Sequence, residues 1–293
     1  MGCFVAHGRD TAFDRGQRSS PHQANDRQRP PGPPFPSEDP QFHSEGDRMS
    51  EIDLPQAYSP ADLPYGASGY LVVKRAIDIV LASVLMVLLL PLFLIIAIAI
   101  KADAPGPVIF AQPRLGGRRV ARGSSRDWVV ETFTMFKFRT MESGADPSLH
   151  RDYMKAYLTG DEDRLASLRP GRKADESFRP STDPRVTRVG GVLRKLSLDE
   201  LPQLWNVLRG DMSLVGPRPP MAYEVEHYEG AAFRRLASLP GMTGWAQVRG
   251  RCSIDFEEMV RLDLEYLERR SALFDLKILL LTIPVVLLRK GAD

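Results

Sequence analysis

Cysteine is almost missing from this chain of 293 residues: Cys3 and Cys252 are the two it has. One lies in a proline-rich leader and one in the body. They build no disulfide framework and no thiolate metal set, and the simple reading is a reducing, cytoplasmic setting. The five histidines, His7, His22, His43, His150 and His227, show no ligand spacing, and three of them stand in the leader, so none is given a metal or catalytic role. Net charge is also scarce. At +2 it names no partner. The first thirty residues hold no apolar stretch fit for a signal peptide, and Ala6 stands where an N-myristoylation signal wants Ser or Thr. No internal repeat is visible.

Residues 1–69 lack apolar mass. They hold ten of the 24 prolines and four Val, Ile or Leu residues, Val5, Ile52, Leu54 and Leu63. Such a stretch cannot bury enough surface to offset its ordering entropy, so it is expected to be a disordered tail.

After Tyr70 the composition changes. Ile79 to Ile100 is 22 residues without a charge. A straight helix of that length, at ~1.5 Å per residue, would cross a bilayer core of roughly 30 Å. Pro91 stands inside it, however, and a proline bends or breaks a helix. Lys74 and Arg75 precede the run and Lys101 follows it, so the cations give no clear inside–outside asymmetry. Both a kinked spanning helix and a helix–break–helix hairpin that returns to the same face fit these features.

Downstream, Val108 to Ala111 reads as a short strand after a loop, and Trp128 to Phe138 as containing a second. Pro147 to Leu168 reads as one or two charged surface helices, Gly171 to Pro184 as a loop, and Arg188 to Leu208 has helical spacing. Phe256 to Arg270 is amphipathic, with Met259, Leu262 and Tyr266 on one side. Ile278 to Leu288 is an 11-residue apolar run, too short to span and bracketed by Lys277, Arg289 and Lys290; it suits a headgroup layer or a core. The basic residues are clustered: Gln112 to Arg139 holds seven of them against Asp127 and Glu131, a distribution suited to phosphates.

The most informative stretch is Arg194-Lys195-Leu196-Ser197-Leu198-Asp199-Glu200-Leu201-Pro202-Gln203-Leu204. On spacing alone, Ser197-x-x-Glu200 is a capping box, with Asp199 favouring the positive end of a helix. Alternatively Pro202 opens the helix, which leaves Asp199 and Glu200 just outside it. In that case a carboxylate beside Arg194 and a divalent ion could attack phosphorus, and two neighbouring carboxylates suit Mg²⁺.

Around this stretch, residues 70–291 resemble the monotopic phosphoglycosyltransferases, the bacterial sugar transferases that start exopolysaccharide, capsule and glycan assembly. The resemblance rests on ordered blocks. They are Lys74-Arg75-x-x-Asp78, Gly106-Pro107-Val108-Ile109-Phe110-x-Gln112-x-Arg114-x-Gly116, and Phe136-Lys137-Phe138-Arg139-Thr140-Met141. Then come Asp183-Pro184-Arg185-Val186-Thr187-x-x-Gly190, Leu196 to Gln203, Met212 to Pro219, and Pro240 to Val248. The resemblance implies an α+β, mostly helical fold. A disordered tail (1–69) precedes a re-entrant membrane helix hairpin broken at Pro91 (70–102). A small cytosolic catalytic domain (103–293) follows, with a short β element and interfacial amphipathic helices. It implies Asp199 and Glu200 as catalytic dyad and Mg²⁺ ligands, and Lys137, Arg139 and Arg194 as phosphate contacts. Pro217-Arg218-Pro219 would be a turn near the nucleotide. A UDP-sugar and undecaprenyl phosphate would be the substrates, UMP the released product, a phosphosugar on Asp199 the intermediate, and the inner membrane of a bacterium the place. Membrane lipids and polysaccharide-assembly proteins are the other partners so implied.

Three other readings compete. A non-catalytic membrane scaffold for polysaccharide assembly would use the tail and hairpin but not the dyad. A glycosidase needs carboxylates on opposed faces of a sugar, which adjacent residues cannot supply. A nucleic-acid binder is suggested by the arginines alone, without a recognition motif.

Overall fold

A computed structural model of the chain describes residues 68–122, 125–146, 148–168, 185–250 and 254–287. The expected tail up to residue 67 and the expected loop from Gly171 to Pro184 lie outside them.

Ser68–Leu88 and Leu90–Asp103 form helices α1 and α2, bent by 60° at the residue between them. Pro91 sits in the first turn of α2, where its missing N–H removes no intrahelical bond, so the chain starts a new helix there. Leu89 N donates to Leu85 O and Phe93 N to Leu89 O, both at 2.9 Å, and the break leaves little backbone unpaired. Among the described residues no single helix is long and apolar enough to cross a membrane; the bent pair meets that length and composition together. Val72, Val80, Val84, Val87, Leu90, Leu94, Ile95 and Ile98 are all more than half exposed, an apolar surface far larger than scattered single residues.

Strands β1 (Ile109–Arg122) and β2 (Ser125–Phe138) pair antiparallel from Ile109 opposite Phe138 to Arg122 opposite Ser125. The strand expected to end at Ala111 therefore runs eleven residues further. Its glycines and arginines read as loop, but pairing and tertiary contact decide: a Cβ on Gly117 would lie 2.1 Å from Leu236 O, so this strand crosses another backbone where nothing larger than glycine fits.

Helices α3 (Ser148–Thr159) and α4 (Glu162–Ser167) follow, as expected. The helical spacing over 188–208 is realised in pieces: α5 (Arg188–Lys195), a 3₁₀ turn (Leu198–Glu200) and α6 (Gln203–Arg209). Then come β3 (Ser213–Val215), α7 (Ala222–Val225), a 3₁₀ segment (Gly230–Leu236), β4 (Gly241–Thr243), α8 (Trp245–Arg249), α9 (Phe256–Arg269) and α10 (Ala272–Leu287). β3 and β4 pair in parallel. The result is mostly helical with two small sheets.

The largest core joins Leu204 and Val207 of α6, Met212 to Val215, Trp245 of α8, Leu262 and Tyr266 of α9, Phe274 and Ile278 of α10, Ala82 of α1 and Met135 of β2. Each fully buried aliphatic side chain of this kind contributes about 1.5–3 kcal/mol. On α9 the structure buries Val260, Leu262, Tyr266 and Leu267, with Met259 at the margin. α10 turns Phe274 and Ile278 inward and leaves Leu273, Leu276, Leu280 and Ile283 more than half exposed, so it shares the apolar exterior of α1 and α2.

The polar residues of α1 tie it down. Lys74 Nζ donates to Val215 O (2.8 Å) and to Asp275 of α10 (2.9 Å). Leu214 N donates to Asp78 at 3.0 Å. Arg75 donates to the carbonyls of Val207 and Leu208 at the end of α6.

α6 is joined to β2 by one side chain. Asn206, fully buried, accepts from Phe136 N (3.0 Å) and donates to Thr134 O (2.7 Å). Asn206→Ala leaves two buried backbone groups unpaired, a penalty of about 2–6 kcal/mol at 1–3 per group. Chemical unfolding of the detergent-solubilised protein should show that loss, whereas Leu273→Ala on the exposed face of α10 should change stability by less than about 0.5 kcal/mol.

Candidate active site

Asp199 and Glu200 lie on the 3₁₀ turn between α5 and α6. The capping box does not form. Ser197 adopts φ 54°, ψ 23° and its side chain makes no cap bond; the residue that caps is Thr187, whose hydroxyl accepts from Gly190 N at 3.0 Å at the start of α5. Pro202 precedes the first residue of α6, so both acids stand just outside that helix, as the second reading of the motif has it. Ser197 is the sole non-glycine residue with positive φ among the described residues, and it reverses the chain between α5 and the acids.

Leu198 and Leu201 flank the acids and pack into a cluster with Ile96 and Ile100 of α2, Phe138 of β2 and Leu193 of α5. This anchors the turn to the second helix of the bent pair. Asp199 is left 8 % exposed, while the Glu200 side chain is 36 % exposed. Lys137 on β2 reaches both: its Nζ is 3.0 Å from Glu200 Oε1 and 3.8 Å from Asp199 Oδ2. A buried carboxylate beside a cation, with an open neighbour, is a site where anionic chemistry is compensated rather than excluded.

The other expected residues divide. Arg194 donates from Nε to Thr140 Oγ1 at 2.9 Å, on the strand end that carries Lys137. α5 comes close enough there that a Cβ on Gly190 would stand 2.1 Å from Thr140 O. Arg139 points away from the acids. Its guanidinium is buried and donates to Ala104 O (2.6 Å), Pro105 O and Ser143 Oγ (3.0 Å), closing the carboxy end of α2. Pro217 and Pro219 are buried and leave Arg218 between them exposed.

Sequence reasoning left out a second set. Arg114 of β1 is 3 % exposed. It donates to Pro219 O (3.0 Å) and Gln112 Oε1 (2.9 Å) and lies 3.6 Å from Glu224 of α7. Burial pulls its guanidinium down to about 10, against the opposing pull of Glu224. His150 of α3 meets the Tyr223 hydroxyl of α7 with Nδ1 at 2.7 Å. Arg114 stands in a quoted block and was findable. His150 and Tyr223 are 73 residues apart, and no local pattern pairs them.

Among the described residues no group of three or more His, Cys, Asp or Glu is arranged to hold a metal. Two adjacent carboxylates are nonetheless the usual protein share for Mg²⁺, which keeps water or phosphate oxygens for the rest of its shell. Asp199 and Glu200 are the residues that could offer it.

Residues 69–289 match the family model described as bacterial sugar transferase, and the chain belongs to that family. It is 39 % identical over 219 residues to the exopolysaccharide production protein ExoY of Rhizobium meliloti, covering 75 % of this chain and 87 % of that one. It is 36 % identical over 262 residues to the UDP-glucose:undecaprenyl-phosphate glucose-1-phosphate transferase of Escherichia coli, covering 86 % of this chain and 47 % of that protein. The undecaprenyl-phosphate galactose phosphotransferase of Salmonella typhimurium is 36 % identical over 219 residues, covering 75 % of this chain and 41 % of that one. The chain therefore spans under half the length of the latter two.

The left-handed Ser197 generates a stability prediction. Such a conformation costs a non-glycine residue roughly 1–2 kcal/mol, and a β-branched one suffers most. Ser197→Gly should unfold no more easily than the parent, and Ser197→Val should lose about 1–2 kcal/mol; thermal melts of the two variants side by side check this.

Proposed function

We propose that this chain transfers a sugar 1-phosphate from a UDP-sugar to undecaprenyl phosphate and releases UMP, the first membrane step in building an exopolysaccharide or a related glycan. The observation that carries this is the Asp199–Glu200 turn, clamped by Lys137 at 3.0 Å and 3.8 Å and fixed to α2 through Leu198 and Leu201. The printed names of the relatives are its second support.

In the first step an Asp199 oxygen attacks the sugar-bearing phosphorus. The bond from that phosphorus to the bridging oxygen breaks, and UMP leaves with the electron pair. A phosphosugar then sits on Asp199 as an acyl phosphate. In the second step an oxygen of the lipid phosphate attacks the same phosphorus, and the bond to Asp199 breaks and restores the carboxylate. Two anionic substrates thus take turns in one site rather than repelling each other in it. Lys137 offsets charge at the acids, while Arg194 and Arg218 hold phosphate oxygens; such transfers depend mostly on positioning and neutralisation. Asp199 and Glu200 are the residues that would hold Mg²⁺, which when bound supplies further positive charge against the diphosphate.

The acceptor's phosphate lies at a bilayer surface, so the dyad must lie there too. The exposed apolar faces of α1, α2 and α10 support a bent pair that enters a bacterial inner membrane from the cytoplasmic side and returns, with the dyad at its foot. A scaffold without catalysis would give no reason for a lysine gripping two adjacent acids.

Asp199→Asn should abolish UMP release from UDP-sugar in the presence of undecaprenyl phosphate, by about a thousandfold or more, since it removes the nucleophile. UMP release at the parent rate would reject that assignment. Chelation by EDTA should stop the parent enzyme, and added Mg²⁺ should restore it.

A further inference from the structure

Residues 217–220 have little to offer a phosphate besides the side chain of Arg218. Pro217, Pro219 and Pro220 have no N–H, and Gly216 N is taken by Thr243 O at 2.9 Å. The prolines also keep the residues before them out of helical backbone. An extended proline-rich stretch makes no hydrogen bonds of its own, so its carbonyls must be paired from outside. Each of the four carbonyls finds a different donor. Pro217 O accepts from Gly241 N of β4 (2.8 Å) and Pro220 O from Leu115 N of β1 (2.9 Å). The two between them go to guanidiniums. Arg218 O accepts from Arg235 Nη2 at 3.3 Å, and Pro219 O from Arg114 Nη1 at 3.0 Å.

We propose that Arg114 and Arg235 are positioning residues that set Arg218 for the donor's diphosphate; this rests on the reading in which Arg218 holds phosphate oxygens. Both arginines are 3 % exposed. Each is braced by a carboxylate from a separate helix: Arg114 lies 3.6 Å from Glu224 of α7, and Arg235 lies 2.7 Å from Asp263 of α9. Arg114 also donates to Gln112 Oε1 (2.9 Å), and Arg235 to the Tyr228 hydroxyl (2.7 Å). A guanidinium is a planar fork, so partners held on some of its nitrogens fix the direction in which the others donate.

Pairing a carbonyl does not require this. A backbone amide does it for Pro217 and for Pro220, whereas two buried ion pairs carry a desolvation penalty that apolar side chains would not. What the pairs add is a fixed place. The backbone that bears Arg218 is tied to β1, to β4, to the 3₁₀ segment Gly230–Leu236 and, through the two carboxylates, to α7 and α9. Pro217, Pro219 and Pro220 are buried while Arg218 is exposed. The residue presented outward is thus the one whose own carbonyl and next carbonyl are both pinned. A contact to phosphate depends on such placement, because hydrogen bonds weaken steeply with misalignment.

Calorimetric titration of UDP into full-length protein in nanodiscs tests this through double-mutant cycles. Arg218→Ala should weaken UDP binding about tenfold or more. The paired variants Arg235→Leu/Asp263→Leu and Arg114→Leu/Glu224→Leu leave no member of an ion pair behind and remove the bond to the carbonyl. Each should weaken UDP binding about fivefold. In an Arg218→Ala background each should weaken it by less than about a further twofold, because both arginines act through that side chain. Wild-type affinity in either paired variant overturns the proposal. An equal loss with and without Arg218 also overturns it, since that marks a general effect on the fold. Where a paired variant does not fold, Arg235→Lys or Arg114→Lys enters the same cycle. Lysine keeps the charge but not the planar fork, so weaker binding is expected and unchanged affinity overturns. Arg218→Ala at wild-type affinity withdraws Arg218 from the phosphate reading, and this proposal with it, while the Asp199 assignment stands. A wild type that binds no UDP sinks the transferase reading itself.

Discussion

The end of β2 is the part on which the site depends. Over five consecutive residues, successive groups hold different elements. The Phe136 amide is gripped by Asn206 of α6, and Lys137 clamps the two acids. Phe138 fills the cluster shared by α2 and α5, and Arg139 closes the carboxy end of α2. Thr140 receives Arg194 through its hydroxyl and Thr187 N through its carbonyl. A strand can do this because its side chains alternate between two faces while its outer backbone edge stays available. Shifting the register by one would exchange Lys137 and Phe138, setting a charge in the apolar cluster and a ring at the acids. The long pairing with β1, fourteen residues on each strand, fixes that register.

The sequence disclosed most where the signal was local. The apolar run and the position of Pro91 were enough to frame a bend, and the structure has it, because a proline near a helix start acts through its own ring and missing N–H. The acids outside α6 were legible for the same reason. What depended on distant partners was not. The capping box satisfied its spacing rule, but Ser197 turned left-handed because Leu198 and Leu201 had an apolar cluster to enter, and tertiary burial outweighed a cap worth about 1 kcal/mol. Arg139 looked like its neighbour Lys137 in a basic block, yet it stands one residue past the end of β2, where its guanidinium is taken by the carbonyls that close α2. The length of β1 was hidden because Gly116, Gly117 and four arginines are poor strand formers singly, and only the partner strand and the 236–238 backbone make them one.

Arg75, Lys74 and Asp78 add a constraint of a different kind. They lie on one face of α1, where Arg75 binds the α6 terminus, Lys74 binds β3 and α10, and Asp78 binds β3, while the opposite face of α1 is bare and apolar. The Lys74–Asp275 pair is buried on both sides, with side-chain exposures of 9 % and 7 %. A buried ion pair adds little net stability over a well-packed apolar pair, but losing one partner is costly, so its value is that it admits one arrangement. Tyr70 and Tyr266 both donate to the same aspartate at 2.9 Å, so with Lys74 it accepts three hydrogen bonds. The arrangement so chosen sets α1 against α10, the two helices whose bare faces point outward. The dyad hangs from α2 through Leu198 and Leu201, and α2 is continuous with α1 across the 60° bend. The distance from the apolar exterior to Asp199 is therefore fixed by packed side chains from both ends. Under the proposed function, an acceptor that presents its phosphate at a lipid surface would require such a fixed height, and the buried polar contacts of α1, where solvent cannot compete, help to set it.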